Sequence, residues 1–248
     1  MSAAFFLSLR MLNHLDIHNI LFLDIETVPQ VYNFTDLDET KQDLWDAKTK
    51  YKQKDGQSAE DVYESAGILA EFGKIVCISV GFVNDEATES QLRLKSFYGD
   101  DEKEILRDFN HLLNTHYNTE RHQLCAHNGN EFDFPYLARR MLINGLALPN
   151  ALDIAGKKPW EVNHIDTMQL WKFGDYKHYT SLSLLTNIFD IPSPKDDITG
   201  ADVSRVYWEE KDVERIAKYC EKDVLATVQL FLRYKGEPLI AEENITSV

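Results

Sequence analysis

The feature that most constrains the fold is a short apolar run at residues 19–23 (NILFL), followed directly by Asp24 and Glu26. An apolar run without polar alternation is typical of a strand buried on both faces, so it predicts a central strand. Further strand-like runs lie at 74–83, 92–98, 123–126 and 162–165, and helical patterns lie at 102–113, 135–144 and 209–234. This alternation predicts one α/β domain.

We expect the domain to span residues 19–236, with an N-terminal extension at 1–18 and a C-terminal tail at 237–248. A mostly helical insertion is predicted at about 30–72, where Thr35 and Ser58 are candidate helix caps. Met11 is a usable start, which would make residues 1–10 an additional segment. We find no internal repeat and no linker within the sequence.

Composition excludes several classes of protein. The 248 residues are 44% hydrophobic, which excludes a disordered or fibrous chain. Acidic residues outnumber basic ones by 41 to 26, and the net charge of −15 argues against non-specific attraction to nucleic acid or to an anionic membrane. The three cysteines lie far apart in apolar surroundings, which predicts buried thiols in a reducing, cytoplasmic environment. No apolar stretch approaches the roughly 20 residues of a membrane span.

The first candidate functional element is Asp24 with Glu26. Residues two apart on a strand point to the same face, so both carboxylates can converge on one point where the predicted strand ends. Taken alone, this pair is weak evidence, because acidic residues at strand ends usually serve turns or caps.

Two further elements carry acidic groups. A polar loop at 127–135 contains Asp133, whose alternative role is to cap the helix that follows. In the last helix, Tyr219 and Asp223 are stacked neighbours at the edge of an apolar stripe that includes Cys220. The alternative for this pair is a solvated acid beside a half-buried aromatic ring.

One explanation covers all three elements. Bringing the four acidic residues Asp24, Glu26, Asp133 and Asp223 together without counter-charge would be strongly repulsive. Divalent cations would neutralise them, and carboxylate oxygens favour Mg²⁺ or Mn²⁺. Two such ions about 4 Å apart suit the hydrolysis of a phosphodiester bond.

These motifs together resemble a known family. D-x-E at Asp24 and Glu26, N-x₃-F-D ending at Asp133, and Y-x₃-D at Tyr219 and Asp223 look like the three motifs of DEDD-superfamily 3′-5′ exonucleases, tyrosine subclass. The sequence is most similar to the exonuclease domain of family B DNA polymerases, in a free-standing form. The resemblance implies an RNase H-like fold, α/β, with a central mixed sheet of about five strands flanked by helices.

The resemblance also implies roles for these residues. Asp24, Glu26, Asp133 and Asp223 would hold two Mg²⁺ or Mn²⁺ ions, and Tyr219 would orient the attacking water. Asn128 and Phe132 would support the site or contact the terminal nucleotide. The implied substrate is the 3′ end of a nucleic acid, with single-stranded DNA favoured over RNA.

For each of three further features, two interpretations remain open. Asp166 caps a helix or supports the acidic site, and Lys195 contacts the scissile phosphate or lies in a solvated loop. The basic groupings at 48–54 and at Arg139 and Arg140 steer substrate or form solvated faces.

Three other functions stay open. The first is a 3′-5′ exoribonuclease, because the motifs do not report contacts to the 2′-hydroxyl. The second is a catalytically silent RNase H-like module that binds a protein partner, although no carboxylate is missing. The third, an acidic metal-binding scaffold, is disfavoured because calcium loops place their acidic residues much closer together. The sequence identifies no protein partner.

Overall fold

The computed structural model describes residues 12–86, 89–175, 177–192 and 198–248. These residues form one mixed six-stranded sheet in the order β5-β4-β1-β2-β3-β6. The strands are β1 (Ile20–Pro29), β2 (Gly73–Glu86), β3 (Glu89–Tyr98), β4 (Gln123–Ala126), β5 (Ile165–Asp166) and β6 (Ile245–Ser247). The helices are α1 (Glu39–Thr49), α2 (Glu102–His116), α3 (Asp133–Ile143), α4 (Thr167–Lys172), α5 (Leu182–Ile188), α6 (Val203–Arg205) and α7 (Val213–Lys235).

The pairing makes the sheet mixed. Strand β1 is antiparallel to β2, and β2 is antiparallel to β3. Strands β4 and β5 continue the sheet in parallel beyond β1, and β6 is parallel to β3 at the other edge. The prediction of a mixed sheet within an α/β fold is therefore confirmed, and the strand beyond the expected five comes from residues 245–247.

Strand β1 is buried on both faces, as the apolar run predicts. On one face Leu21 and Leu23 join a core with Phe109 of α2 and Leu137 of α3. On the other face Phe22 packs against Phe231 of α7 at 5.5 Å between ring centroids. Helices α2 and α3 therefore cover one side of the sheet, and α7 covers the other.

Two helix starts differ from the sequence prediction. Asp38, and not Thr35, caps α1 by accepting a hydrogen bond from the backbone N–H of Lys41 at 2.9 Å. The last helix begins at residue 213 instead of 209, because Asp212 caps it and Lys211 is left-handed at φ 57°. A five-residue π-helix, Val206–Glu210, precedes it.

The segment after β1 has a small core of its own. It contains α1 and two 3-10 helices, Phe34–Asp36 and Glu60–Ile68. Trp45 is fully buried there, and its indole N–H donates to the carbonyl of Ala59 at 2.8 Å. Among the described residues, no helix has the length and apolar character needed to cross a bilayer.

Candidate active site

Strand β1 places Asp24 and Glu26 on the face that α7 covers. The sequence analysis placed both acids where the strand ends, but the strand continues to Pro29, because the long antiparallel strand β2 pairs with it from Phe22 to Pro29, with a register shift between Glu26 and Thr27. Asp24 lies opposite Ser79 and Glu26 lies opposite Cys77. The two carboxylates therefore project from the interior of a paired strand, where the backbone is held on one side by the β2 ladder.

Helix α7 brings a thiol to the same point. The Sγ atom of Cys220 donates to Oδ2 of Asp24 at 3.3 Å and to the Asp24 carbonyl at 3.4 Å. Asp24, Glu26 and Cys220 each offer a ligand atom, and the three atoms lie within 4.8 Å of one another. The sequence interpretation placed Cys220 only in the apolar stripe of the last helix, since a thiol in such a stripe gives no sign that it contacts a carboxylate.

Asp133 enters the site from the start of α3. It is the first residue of that helix and not its cap, because Phe132 occupies the cap position without a side-chain hydrogen bond. The Asp133 side chain is 3% exposed, and the backbone N–H of Ile25 on β1 donates to its carboxylate. Its Oδ1 atom is buried without a hydrogen-bond partner. A buried carboxylate oxygen with no partner is unfavourable unless a ligand satisfies it.

Burial and mutual repulsion raise the pKa values of these acids. Burial is the main cause at Asp24, followed by the charges of Glu26, Asp133 and Asp223, while the Cys220 hydrogen bond acts in the opposite direction. Burial is also the main cause of the raised pKa of Glu26, followed by the charge of Asp223. The pKa of Asp133 rises to about 7, chiefly through burial and then through the charge of Asp166.

These observations test whether divalent ions fit the site. The groups that raise the pKa of Asp24 are carboxylates, and the group that lowers it is a neutral thiol, so none of them supplies positive charge. Oxygen donors that repel one another, with one oxygen left unpartnered, match the requirements of a hard divalent cation. The four acids therefore fit Mg²⁺ or Mn²⁺.

Tyr219 lies beside Asp223 on α7. Its hydroxyl is hydrogen-bonded to the Asp223 carboxylate, and the ring is half-buried. Burial, then the charges of Asp223, Glu26 and Asp24, raise the pKa of Tyr219 far above its usual value. The phenol therefore keeps its proton and acts as a hydrogen-bond donor, not as a base.

The remaining predicted residues are placed as follows. Asn128 is left-handed at φ 66°, and its Oδ1 atom is buried without a partner. Phe132 is half-buried and packs against Tyr136 at 5.3 Å between ring centroids. Lys195 lies outside the described residues. Asp166 both caps α4 and binds the loop that contains Asn128.

The basic groupings separate into two kinds. Arg140 does not face solvent, because it is 4% exposed and pairs with Glu102. Lys48 and Lys50 are exposed and lie near Glu71 and Asp46 respectively, at 4.0 and 3.9 Å. Arg139 is exposed on α3.

A cavity of about 560 Å³ opens next to the strand that carries the two acids. Thr27, which follows Glu26 on β1, is one of its lining residues. Segment Glu60–Ile68 and residues 200–204 form other walls, and Lys52 lines it with its ammonium group 3.3 Å from Oγ of Ser65. Sequence reasoning did not find this cavity, because it forms only where the segment after β1 meets the chain before α7.

Comparison with known proteins gives one family match. The family described as a predicted 3′-5′ exonuclease related to the exonuclease domain of PolB matches residues 68–239. The matched region contains Asp133, Tyr219 and Asp223, whereas Asp24 and Glu26 precede it.

Two solved structures are similar. The family B DNA polymerase from the hyperthermophilic archaeon Pyrobaculum calidifontis has a TM-score of 0.54 at 15% identity, and the match covers 86% of this chain and 24% of the polymerase. The chain thus spans about a quarter of the polymerase, and the likeness shows an RNase H-like fold alone. The RNase domain of the yeast Pop2 protein has a TM-score of 0.39 at 12% identity, covering 90% of this chain and 81% of that domain.

Proposed function

We propose that this chain, which belongs to the family of predicted 3′-5′ exonucleases related to the exonuclease domain of PolB, hydrolyses phosphodiester bonds at the 3′ end of single-stranded DNA. The observation that carries the proposal is the set of buried acids on β1, α3 and α7, which raise one another's pKa values and include an unpartnered oxygen. Such an arrangement is unfavourable in the protein alone and becomes favourable when cations bind.

Asp24, Glu26, Asp133 and Asp223 would together hold two Mg²⁺ or Mn²⁺ ions. When bound, the ions would neutralise the carboxylates, lower the pKa of the attacking water and stabilise charge on the phosphate. Strand β1 and helix α7 carry three of the four acids, so three of the proposed ligands project from strand and helix backbone.

Tyr219 would orient the attacking water. Because its pKa is raised, the hydroxyl stays protonated at neutral pH, and it can hold a water by a hydrogen bond without removing a proton. Asp223 fixes the hydroxyl from the next turn of the same helix.

Three further residues are proposed to contact substrate. Asn128 offers a buried side-chain amide oxygen that has no partner among the described residues. Phe132, half-buried on Tyr136, offers a ring edge beside Asp133. Lys195, which lies outside the described residues, would contact the phosphate. The cavity lined by Thr27, the residue after Glu26, would add space for part of the terminal nucleotide.

The net charge of −15 limits how the protein holds a long substrate. Phosphate contacts from basic residues dominate the affinity of proteins for nucleic acid, and several exposed lysines here lie beside an acid, among them Lys41, Lys50 and Lys218. We therefore expect weak binding that falls steeply with salt, and release of the strand after few cleavages.

The test uses matched 5′-labelled single-stranded DNA and RNA oligonucleotides with Mg²⁺, Mn²⁺ or EDTA. Removal of 3′ nucleotides leaves a ladder of labelled products, whereas attack from the 5′ end releases the labelled mononucleotide. We expect a metal-dependent ladder on DNA. Asp223→Asn protein, purified identically, is the control for a contaminating nuclease.

Two other outcomes would contradict the proposal. A ladder on RNA alone would replace the proposal by a 3′-5′ exoribonuclease. No cleavage of either strand by protein that binds Mn²⁺ would contradict nuclease function and favour a silent partner-binding module.

A further inference from the structure

Asp166 makes more hydrogen bonds than a helix cap requires. It is the last residue of β5, its side chain is 2% exposed, and α4 begins at the next residue. Its Oδ1 atom accepts from the backbone N–H groups of Met168 at 2.9 Å and Gln169 at 3.2 Å. Those two bonds form an ordinary N-cap, which needs only one carboxylate oxygen.

The same carboxylate also binds the loop that leads into α3. Oδ1 accepts from the backbone N–H of Asn128 at 3.0 Å, and Oδ2 accepts from that of Asn130 at 3.1 Å. Asn128 is left-handed, a conformation that asparagine adopts more readily than most residues other than glycine. These two bonds hold the loop in that conformation from the side of β5.

The loop connects directly to Asp133. The N–H groups of Glu131 and Phe132 donate to the Asn128 carbonyl, both at 3.1 Å, and the N–H of Phe134 donates to the Gly129 carbonyl at 3.0 Å. A change in the backbone at Asn128 is thus passed to the turn that starts α3. Gly129 allows little adjustment, because its surroundings are filled by Ala126 and Phe134.

We propose that Asp166 is a positioning residue for the exonuclease site: by holding the backbone of Asn128 and Asn130, it fixes where Asp133 and the Asn128 side chain stand relative to β1. This inference rests on the proposed function. Among the described residues no hydrogen bond joins Asp166 to the Asp133 carboxylate; its charge raises the pKa of Asp133, and its bonds to Asn128 and Asn130 position Asp133 through the loop.

A serine substitution separates the cap from the loop contacts. Serine caps helices about as well as aspartate, but its single, shorter hydroxyl cannot also serve two N–H groups of another segment. Asp166→Ser therefore keeps the start of α4 and removes the hold on the loop.

Asp101 provides a matched control. It caps α2 by accepting from the N–H groups of Lys103 at 2.9 Å and Glu104 at 3.2 Å, the same pattern that Asp166 shows at α4. No further N–H from another segment binds Asp101 among the described hydrogen bonds. Asp101→Ser makes the same cap replacement without touching the loop.

The experiment compares wild type, Asp166→Ser and Asp101→Ser by three measurements. These are single-turnover rate, the Mn²⁺ concentration that gives half-maximal rate, and Mn²⁺ affinity by calorimetry. Misplaced supporting groups around metal ligands typically change affinity or activity 10–100-fold. We expect Asp166→Ser to lose about 10–100-fold in rate and Mn²⁺ affinity, and Asp101→Ser to match wild type within about twofold.

Asp166→Ser with wild-type rate and Mn²⁺ affinity would overturn the inference, as would equal losses in both variants. If the wild type itself cleaves neither DNA nor RNA, the proposed function fails, and calorimetry still decides whether Asp166 positions the cation ligands. Should Asp166→Ser fail to fold, Asp166→Asn serves: it can keep the three bonds of Oδ1 but turns a donor toward the Asn130 N–H, and we expect an intermediate loss.

Discussion

Two buried acidic regions of this molecule differ in how their charges are satisfied. Glu102, 8% exposed at the start of α2, accepts hydrogen bonds from Arg140 Nε at 2.8 Å, from Asn144 Nδ2 at 2.9 Å and from the backbone N–H of Ile75 at 2.7 Å. Arg140 also donates to Glu102 through Nη2 and to the carbonyl of Ala70 at 2.8 Å. The negative charge of Glu102 is therefore balanced within the protein by Arg140.

In the candidate site Glu26 and Asp133 are about as buried as Glu102 and Asp24 is half-buried, but no positive charge is among the groups that shift their pKa values. Asp24 and Glu26 face other acids, and Asp133 keeps an oxygen without a partner. Burial alone therefore does not distinguish a structural acid from a functional one. The distinguishing feature is the counter-charge, which Arg140 supplies at Glu102 and which the proposed cations would supply at Asp24.

The largest effect should follow Asp24→Asn. This change removes a charged cation ligand, and metal ions supply several kcal/mol of transition-state stabilisation, so we expect a rate loss on the order of 10³-fold or more. The free energy of unfolding in EDTA at pH 7 should not fall, because the change relieves repulsion among buried acids. Cleavage assays and chemical denaturation measure the two quantities.

Asp108→Asn, on the exposed side of α2, is the control for removal of one negative charge. A large loss of stability for Asp24→Asn in EDTA would mean that Asp24 is a structural acid like Glu102. It would remove the contrast between the two regions.

Glu102→Gln should give the opposite pattern. It leaves the Arg140 guanidinium buried without its counter-charge, and breaking one side of a buried ion pair typically costs about 3–5 kcal/mol of folding free energy. Turnover per folded molecule should stay near that of wild type. Urea denaturation and a cleavage assay at low temperature test this.

Glu104→Gln, an exposed neighbour on the same helix, should change the free energy of unfolding by less than about 0.5 kcal/mol. A selective loss of turnover in Glu102→Gln, at full stability, would show that the two acidic regions are coupled.

Much of the fold could be predicted from the sequence, because the signals were local. The apolar run of β1, the hairpin of β2 and β3, and the apolar stripe of α7 each follow from periodicity. Strand β6 could not be predicted, since residues 245–247 form a strand only by pairing with the exposed edge of β3. Its side chains are mostly exposed and give no burial signal.

The candidate site shows the same limit. The three motifs and their order in the chain predicted which acids lie close together, because the motifs name those acids by residue type and spacing. The contacts of Cys220 with Asp24 and of Asp166 with Asn128 depend on tertiary packing between elements that are distant in the chain. The burial of Arg140 was missed for the same reason: its partner, Glu102, lies on another helix.

Tyr219→Phe should have a smaller effect than either acid. The ring stays packed and all four carboxylates remain, so stability and Mn²⁺ affinity should be unchanged while the rate falls by roughly 10- to 10³-fold. Single-turnover kinetics measure this. A rate within about twofold of wild type would contradict a water-positioning role and leave Tyr219 a packing residue.

The most direct test of the contrast is the pH dependence of stability in EDTA. The pKa of Asp133 is about 7 in the folded protein and 3.8 in the unfolded chain, so between these values the folded state holds more protons. Its stabilising contribution is therefore full below about pH 4 and is lost as pH rises toward 7. The slope cannot exceed about 1.36 kcal/mol per pH unit for one group. Wild type should thus lose stability relative to Asp133→Asn across this window, whereas Mn²⁺, which binds the ionised form, should reverse the trend. Parallel denaturation curves for the two proteins from pH 4 to 7 would show that Asp133 already has a counter-charge within the protein, as Glu102 does.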